Sequence, residues 1–123
     1  MLVDALGNPL KFLLTSGAAG DNPQAIPLLA GRQTGEVVAD RDYDADATLA
    51  YIEQDMGAVA TIPPRKSRLV QRDCDYAAYK ERHLVECFIG KLKYFRRVCS
   101  RFDKYARRFL AFVHFASTVI WLK

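Results

Sequence analysis

Cysteine is sparse in this chain of 123 residues, and the three that occur, Cys74, Cys87 and Cys99, form an odd set with no CxxC pair. That spacing leaves no basis for a disulfide framework or a thiolate zinc site, and a reducing, cytoplasmic setting is expected. Histidine is scarcer still: His83 and His114 stand far apart, with no HExxH-like pairing. The longest apolar run, Phe109 to Leu122, has 14 residues and contains His114, Ser117 and Thr118. A bilayer span needs about 20 residues, so a buried helix is expected and no membrane partner. No secretory signal opens the sequence, because Asp4, Gly7 and Pro9 interrupt the segment before Lys11. There is no glycine-rich phosphate loop, no internal repeat and no low-complexity tract. Neither Ser16 nor Ser67 has the neighbours of an activated nucleophile.

Acidic residues are missing from one half and crowded into the other. Residues 1–64 carry three basic side chains (Lys11, Arg32, Arg41) against nine acidic ones, a net of −6; residues 65–123 carry fifteen against five, a net of +10. The whole-chain value of +4 hides this split. A polyanionic partner for the second half, DNA or RNA phosphate first among them, accounts for it; a solvated basic helical surface accounts for it equally. With 50% hydrophobic and 26% charged residues, the chain has the composition of one folded domain. We read it as a single domain over 1–123, with a hairpin, helix and strand part over 1–64 and a basic loop with two long helices over 65–123.

Leu2–Leu6 and Leu10–Thr15 flank Gly7-Asn8-Pro9, the pattern of a β-hairpin. Asp21-Asn22-Pro23 starts a helix to about Leu29, stopped by Gly31, with Pro27 awkward inside it. Glu36–Asp40 is a short buried strand ending in a carboxylate, and Asp44 or Asp46 caps the next helix, about Ala45 to Asp55, which ends at Gly57. Ala58–Ile62 is another strand, closed by Pro63-Pro64, and Arg65-Lys66-Ser67-Arg68 is a basic loop. Helical patterning then runs from about Tyr76 to Cys99 and from about Asp103 to Leu122. On this second helix Leu110, Phe112, Val113, Val119, Ile120 and Trp121 are expected to supply apolar contacts, with Phe109, Phe112, Phe115 and His114 in the core. Strands alternating with helices make an α/β pattern.

On one continuous helix at 100° per residue, Tyr79, Arg82 and Lys93 fall at about +20°, −40° and −20° from Glu86. The opposite arc carries Leu84, Phe88, Leu92, Phe95 and Val98. A carboxylate flanked by two cations and a phenol is one reading of this face; an ordinary exposed face with an Arg–Glu pair is the other. Asp40 ends an apolar strand, where ligands of open α/β sheets gather, and neither a turn nor a cap clearly requires it. A carboxylate there suits a hard cation such as Mg²⁺. For Asp44 and Asp46 a capping or turn role is the expectation.

These residues also carry a resemblance. Tyr79, Arg82, Glu86 and Lys93, spaced by two, three and six intervening residues, resemble the signature of the DDE transposases of bacterial insertion sequences. Val38-Ala39-Asp40-Arg41-Asp42-Tyr43-Asp44 looks like that family's second-aspartate motif, and Val3-Asp4-Ala5-Leu6-Gly7-Asn8-Pro9-Leu10, Ile62-Pro63-Pro64-Arg65 and Phe109-Leu110-Ala111-Phe112 are similar to other segments of it. The resemblance covers nearly the whole chain, in order. It implies an RNase H-like catalytic domain in which three acidic residues hold two divalent ions, Mg²⁺ or Mn²⁺, for phosphodiester cleavage and strand transfer at transposon ends. Carried over by motif, Asp40 is the second acidic metal ligand and Glu86 the third. Arg82 and Lys93 contact DNA phosphate or steady the glutamate, Tyr79 orients the face, and Arg65, Lys66 and Arg68 meet flanking DNA or remain solvated loop charge. The resemblance also implies nucleoid association when DNA is bound.

Three departures qualify it. No residue matches the motif of the first catalytic aspartate, which in the family lies on the first, central strand; Asp4 matches a noncatalytic position. The fold is therefore expected to be RNase H-like but incomplete at its N-terminus, and the chain alone to have little or no strand-transfer activity. Asp42 stands where the family usually has glycine, so a distorted loop is the first expectation and an extra ligand the second, and Cys87 stands where a larger residue is common. Either the remaining strands close directly, or an upstream transposase polypeptide or self-association supplies the missing part. The alternative role is a truncated, non-catalytic protein that binds DNA or transposase and modulates transposition.

Overall fold

A computed structural model describes residues 1–15, 19–95 and 105–122. Ser16, Val98, Cys99 and Asp103, and with them the junction between the two long helical stretches, lie outside the described residues. The chain packs as two units, Met1–Leu14 with His83–Lys123, and Thr15–Arg82. The divide in charge near residue 64 is thus a different divide from the one in packing.

The first unit is a hairpin with two helices. Strands β1 (Leu2–Val3) and β2 (Pro9–Lys11) pair antiparallel. Their turn is organised by the Asp4 carboxylate, whose Oδ1 accepts from the backbone N–H groups of Leu6 (2.8 Å) and Asn8 (2.9 Å), while Oδ2 accepts from the Asn8 side chain (3.1 Å). The Asn8 N–H above all, against some burial, holds the Asp4 carboxyl below its ordinary value of 3.8. Helices α4 (His83–Leu92) and α5 (Ala106–Leu122) belong to this unit. Phe88, Leu92, Val113 and Ala116 form its core, with Met1, Phe12, Phe95, Phe109 and Ile120 packed around them. Phe12 of the hairpin lies 6.3 Å from the Phe88 ring and meets His114 edge-on at 5.3 Å. The polar residues inside the last apolar run turn their hydroxyls back on the helix: Ser117 donates to Val113 O (2.7 Å) and Thr118 to His114 O (2.9 Å).

Two expectations for α5 are corrected. His114 is exposed and uses its ring against Phe12, and Phe115 and Trp121 are exposed as well. The buried stripe runs through Val113, Ala116 and Ser117, one turn-step round from the aromatic residues that composition alone favours for a core. No described helix is long and apolar enough to cross a membrane.

The second unit is built on a parallel strand pair. Its first helix starts as expected, with Asn22–Gln24 as a 3₁₀ turn leading into α1 (Ala25–Leu29). Asp21 makes no side-chain cap, because it is already in the helical region. Pro27 falls in the first turn of α1, where a missing N–H costs no helical bond. The glycines expected to stop helices, Gly31 and Gly57, both take positive φ (76° and 65°). Strand β3 (Glu36–Val38) and strand β4 (Val59–Thr61) pair in register Glu36–Val59, Val37–Ala60, Val38–Thr61, and β3 is not the buried strand expected, since Glu36 is exposed and both valines are half-buried. Parallel neighbours need a crossover, and α2 (Asp46–Ala50) provides it, widening into a π-type turn over Tyr51–Asp55. Ile52, Ile62 and Pro63 are the most deeply buried side chains, alongside Ala25, Leu28, Leu29 and Ala58. Thr61 donates its hydroxyl to Glu36 across the pair, and Thr48 on α2 donates to Asn22 (3.2 Å).

Among the described residues the strands form two separate two-stranded sheets, β1–β2 and β3–β4. The long helix expected from Tyr76 is also interrupted: α3 (Tyr76–Tyr79) gives way to a 3₁₀ turn at Lys80–Arg82 before α4 begins. A 3₁₀ turn winds faster than an α-helix, so the angular arithmetic for one continuous helix does not carry from Tyr79 and Arg82 to Glu86.

The packing separates two aromatic positions on neighbouring elements. Phe88→Ala should cost about 3–4 kcal/mol, the usual range for truncating a buried phenylalanine, whereas Phe115→Ala, at an exposed site, should change stability by no more than about 0.5 kcal/mol. Denaturant titration followed by far-UV circular dichroism measures both. Equal losses at the two positions would contradict the assignment of the buried stripe.

Candidate functional site

The end of β3 sets the position of Asp40. Ala39 makes a further ladder bond, donating to Thr61 O (3.3 Å), and the chain then turns. Asp40 is extended (φ −78°, ψ 173°) and caps a 3₁₀ turn over Arg41–Tyr43: its Oδ1 accepts from the Asp42 N–H (3.0 Å) and its carbonyl from the Tyr43 N–H (3.1 Å). A turn does use this carboxylate, contrary to the sequence reading. Asp42 lies within that right-handed turn, a conformation open to any residue, so the distortion expected from its standing in place of glycine does not arise. The surroundings are negative. Burial above all, and then the charges of Asp21, Asp40 and Asp42, push the Tyr43 phenol up to about 12.

Asp44 and Asp46 do not cap α2 with their side chains; the capping position is Ala45, which is extended. Asp46 is exposed in the first turn of α2, where negative charge suits the helix dipole. Asp44 has a different role. Its side chain is fully buried, yet it receives three hydrogen-bond and ionic contacts from one loop. Oδ2 accepts from the Arg65 backbone N–H (2.6 Å) and from Arg68 Nε (2.9 Å), and Oδ1 accepts from Arg72 Nη1 (2.7 Å). The second face of each arginine is used too: Arg68 Nη1 reaches Asp46 (2.9 Å), and Arg72 Nη2 reaches Ile62 O (2.6 Å). Burial raises the Asp44 pKa, but the hydrogen bonds from Arg68, the Arg65 amide and Arg72 outweigh it, leaving the carboxyl below 3.8.

The basic loop therefore divides. Arg65 turns its guanidinium onto the turn that Asp40 caps, donating from Nη2 to Asp42 O (2.6 Å) and from Nε to Arg41 O (3.3 Å). Arg68 is held by Asp44 and Asp46. Lys66 is exposed. Arg72 was missed by the sequence reading; the signal was the recurrence of arginine at 65, 68 and 72, a cationic cluster with an unassigned carboxylate upstream.

Tyr79 and Arg82 belong to the same unit as Asp40. Asp75 caps α3, accepting from the N–H groups of Ala77 (3.0 Å) and Ala78 (3.2 Å). The Arg82 guanidinium carbon lies 5.5 Å from the centroid of the Tyr79 ring, within cation–π range. Glu86 and Lys93 belong to the other unit. Glu86 is exposed on α4, as are His83 and Cys87, and Lys93 is exposed just beyond its last turn. Among the described residues no three His, Cys, Asp or Glu side chains gather as a metal site. Asp40 and Glu86 have the hard oxygen chemistry that Mg²⁺ requires, but the described donors do not by themselves make up the set for a divalent ion.

The arginine cluster yields a pH-dependent expectation. Asp44→Ala should cost about 3 kcal/mol, the low end for orphaning buried ionic partners because Arg68 and Arg72 remain part-exposed. Since Asp44 has its pKa lowered on folding, its contribution is present above 3.8 and is lost as pH falls through the lower folded value. Urea titrations of wild type and variant at pH 7 and pH 3 should therefore show a gap that narrows in acid. A gap that is constant with pH would refute the assignment.

Comparison with known proteins agrees with the sequence motifs. The chain matches the family model described as "Transposase DDE domain" over residues 1–120. It is 44% identical over 123 residues to a Brucella ovis protein named "Putative transposase for insertion sequence element IS6501", a match spanning 99% of this chain and 95% of that protein. No solved structure gives a significant match. The chain belongs to the DDE transposases of bacterial insertion sequences, and so to the DDE/RNase H-like superfamily.

Proposed function

We propose that this protein takes part in DNA transposition through metal-dependent phosphodiester chemistry at transposon ends, with Asp40 and Glu86 as two of the acidic ligands of Mg²⁺ or Mn²⁺. The family match over residues 1–120 is the observation that carries this reading. In it, residues 1–123 form one catalytic domain of RNase H-like kind without its first central strand. A third carboxylate comes from beyond these 123 residues, on continuous sequence or on a second polypeptide such as an upstream transposase product or another copy.

What each side chain contributes follows from its setting. Asp40 has one oxygen tied to the Asp42 amide, which restrains the carboxylate and leaves its other oxygen as the one to ligate an ion. Glu86, exposed on α4, is accessible to solvent-borne ions. Lys93 and Lys66, both exposed, supply phosphate contacts, and Arg82, stacked on Tyr79, presents a guanidinium to DNA from a stiffened position. Arg65 and Arg68 can reach DNA only at the edges of the contacts they already make. The excess of +10 over residues 65–123 favours duplex DNA through counterion release.

A second reading is a non-catalytic protein that binds DNA or transposase and modulates transposition. The absence of a three-carboxylate cluster among the described residues favours it. One experiment separates the two. The purified chain should bind transposon-end DNA with strong salt dependence, and Lys93→Ala should lower the slope of log K against log salt by about one. Alone it should show little Mg²⁺-dependent nicking. Adding a polypeptide bearing the family's first aspartate motif should restore cleavage, lost again with Asp40→Asn or Glu86→Gln. DNA binding that is never accompanied by restored cleavage would establish the modulating role instead. Robust nicking by the chain alone, abolished by Asp40→Ala, would overturn the requirement for an outside carboxylate.

A further inference from the structure

We infer that Arg65 is a positioning residue for the Asp40 carboxylate and not primarily a DNA contact; the inference rests on the reading of Asp40 as a metal ligand. Three observations within one packed unit lead to it. Asp40 Oδ1 is held by the Asp42 N–H, so the direction of the carboxylate depends on the conformation of the turn Arg41–Tyr43. Two carbonyls of that turn, Arg41 O and Asp42 O, accept from the same guanidinium, through Arg65 Nε and Nη2, and Arg41 O also accepts the turn's own bond from the Asp44 N–H (3.1 Å). The base of Arg65 is in turn fixed, because its own N–H donates to the buried Asp44 carboxylate at 2.6 Å.

The geometry is that of a bracket. A planar guanidinium gripping two successive carbonyls restrains the two peptide planes on either side of the Asp42 Cα, and the first of them, which carries the Arg41 carbonyl, also carries the Asp42 N–H that holds Asp40. Arg65 thus acts on Asp40 through backbone, without touching it. The arrangement also explains why arginine and not lysine suits the position, since one ammonium cannot span both acceptors in a fixed plane. The side chain is separable from the fold of the loop. Any residue except proline at position 65 keeps the main-chain N–H to Asp44, and Arg68 and Arg72 still anchor the loop through their own contacts.

Arg65→Ala and Arg65→Lys, prepared in the full chain, test this by NMR. Amide exchange at Asp42 reports the turn directly, and Mn²⁺-induced broadening of the amides of residues 40–42 reports the carboxylate, with Asp40→Asn as reference. Arg65→Ala should speed Asp42 exchange and raise the Mn²⁺ concentration for half-maximal broadening, each by about tenfold or more, with helix content and unfolding midpoint close to wild type. Arg65→Lys should recover part of both. Wild-type Asp42 exchange and Mn²⁺ response in Arg65→Ala, with DNA affinity alone reduced, would overturn the inference and make Arg65 a phosphate contact. Faster Asp42 exchange in Arg65→Ala, with no Asp40-dependent broadening even in wild type, would uphold the bracket but remove the metal reading of Asp40.

Discussion

The unit that contains Asp40 is organised around one buried charge. An isolated carboxylate is costly to remove from water, and Asp44 avoids that cost only because a loop more than twenty residues downstream brings it an amide and two guanidinium groups. The dependence is mutual. The segment after β4 has no strand partner and no helix until α3, so the contacts to Asp44, Asp46 and Ile62 O are what give it a shape. Arg65 is placed by the first of these contacts, and the turn beneath Asp40 is gripped by Arg65. A chain of dependence therefore runs from a buried ion pair to the carboxylate that carries the proposed chemistry.

The unit containing Glu86 is held by different forces. Its hairpin turn is organised by the Asp4 carboxylate, so the family-like segment around Gly7-Asn8-Pro9 is a device for shaping backbone. Phe12 then leaves the hairpin to pack against Phe88 and His114. The helix that bears Glu86 is thus fixed from its apolar side, through Phe88 and Leu92, while the carboxylate remains exposed. Rigid support on one side and an accessible carboxylate on the other is the arrangement a binding residue on a helix requires.

Much of the local structure was legible because it is written in short-range chemistry. The hairpin follows from Gly7-Asn8-Pro9, the helix start from Asn22-Pro23, and the strands β3 and β4, though not their pairing, from two short apolar runs around a helical pattern. What escaped reading is long-range. Asp44 looked like a helix cap because the arginines that claim it are 21 to 28 positions away, a distance that linear spacing cannot join. The 3₁₀ turn at Lys80–Arg82 leaves no compositional mark, and a face calculated for one continuous helix failed there. The core of α5 was misjudged because size was read as burial: small Ala116 and Ser117 are inside, and Trp121 is outside. For the candidate site, Asp40, Glu86 and their basic companions were named by family spacing; the physics of Asp40 as the holder of a turn became visible only with its neighbours in place.

The two prolines after β4 have a consequence for where the acidic residue ends up. In a parallel ladder continuing past Ala39, the next rung would need an N–H from residue 63 to reach the Ala39 carbonyl. Pro63 has none, and its ring is fully buried. The zip between the strands is jammed one tooth short of Asp40. The carboxylate is thereby released at the rim of the sheet, and a ring without a hydrogen leaves it to hold the turn that follows.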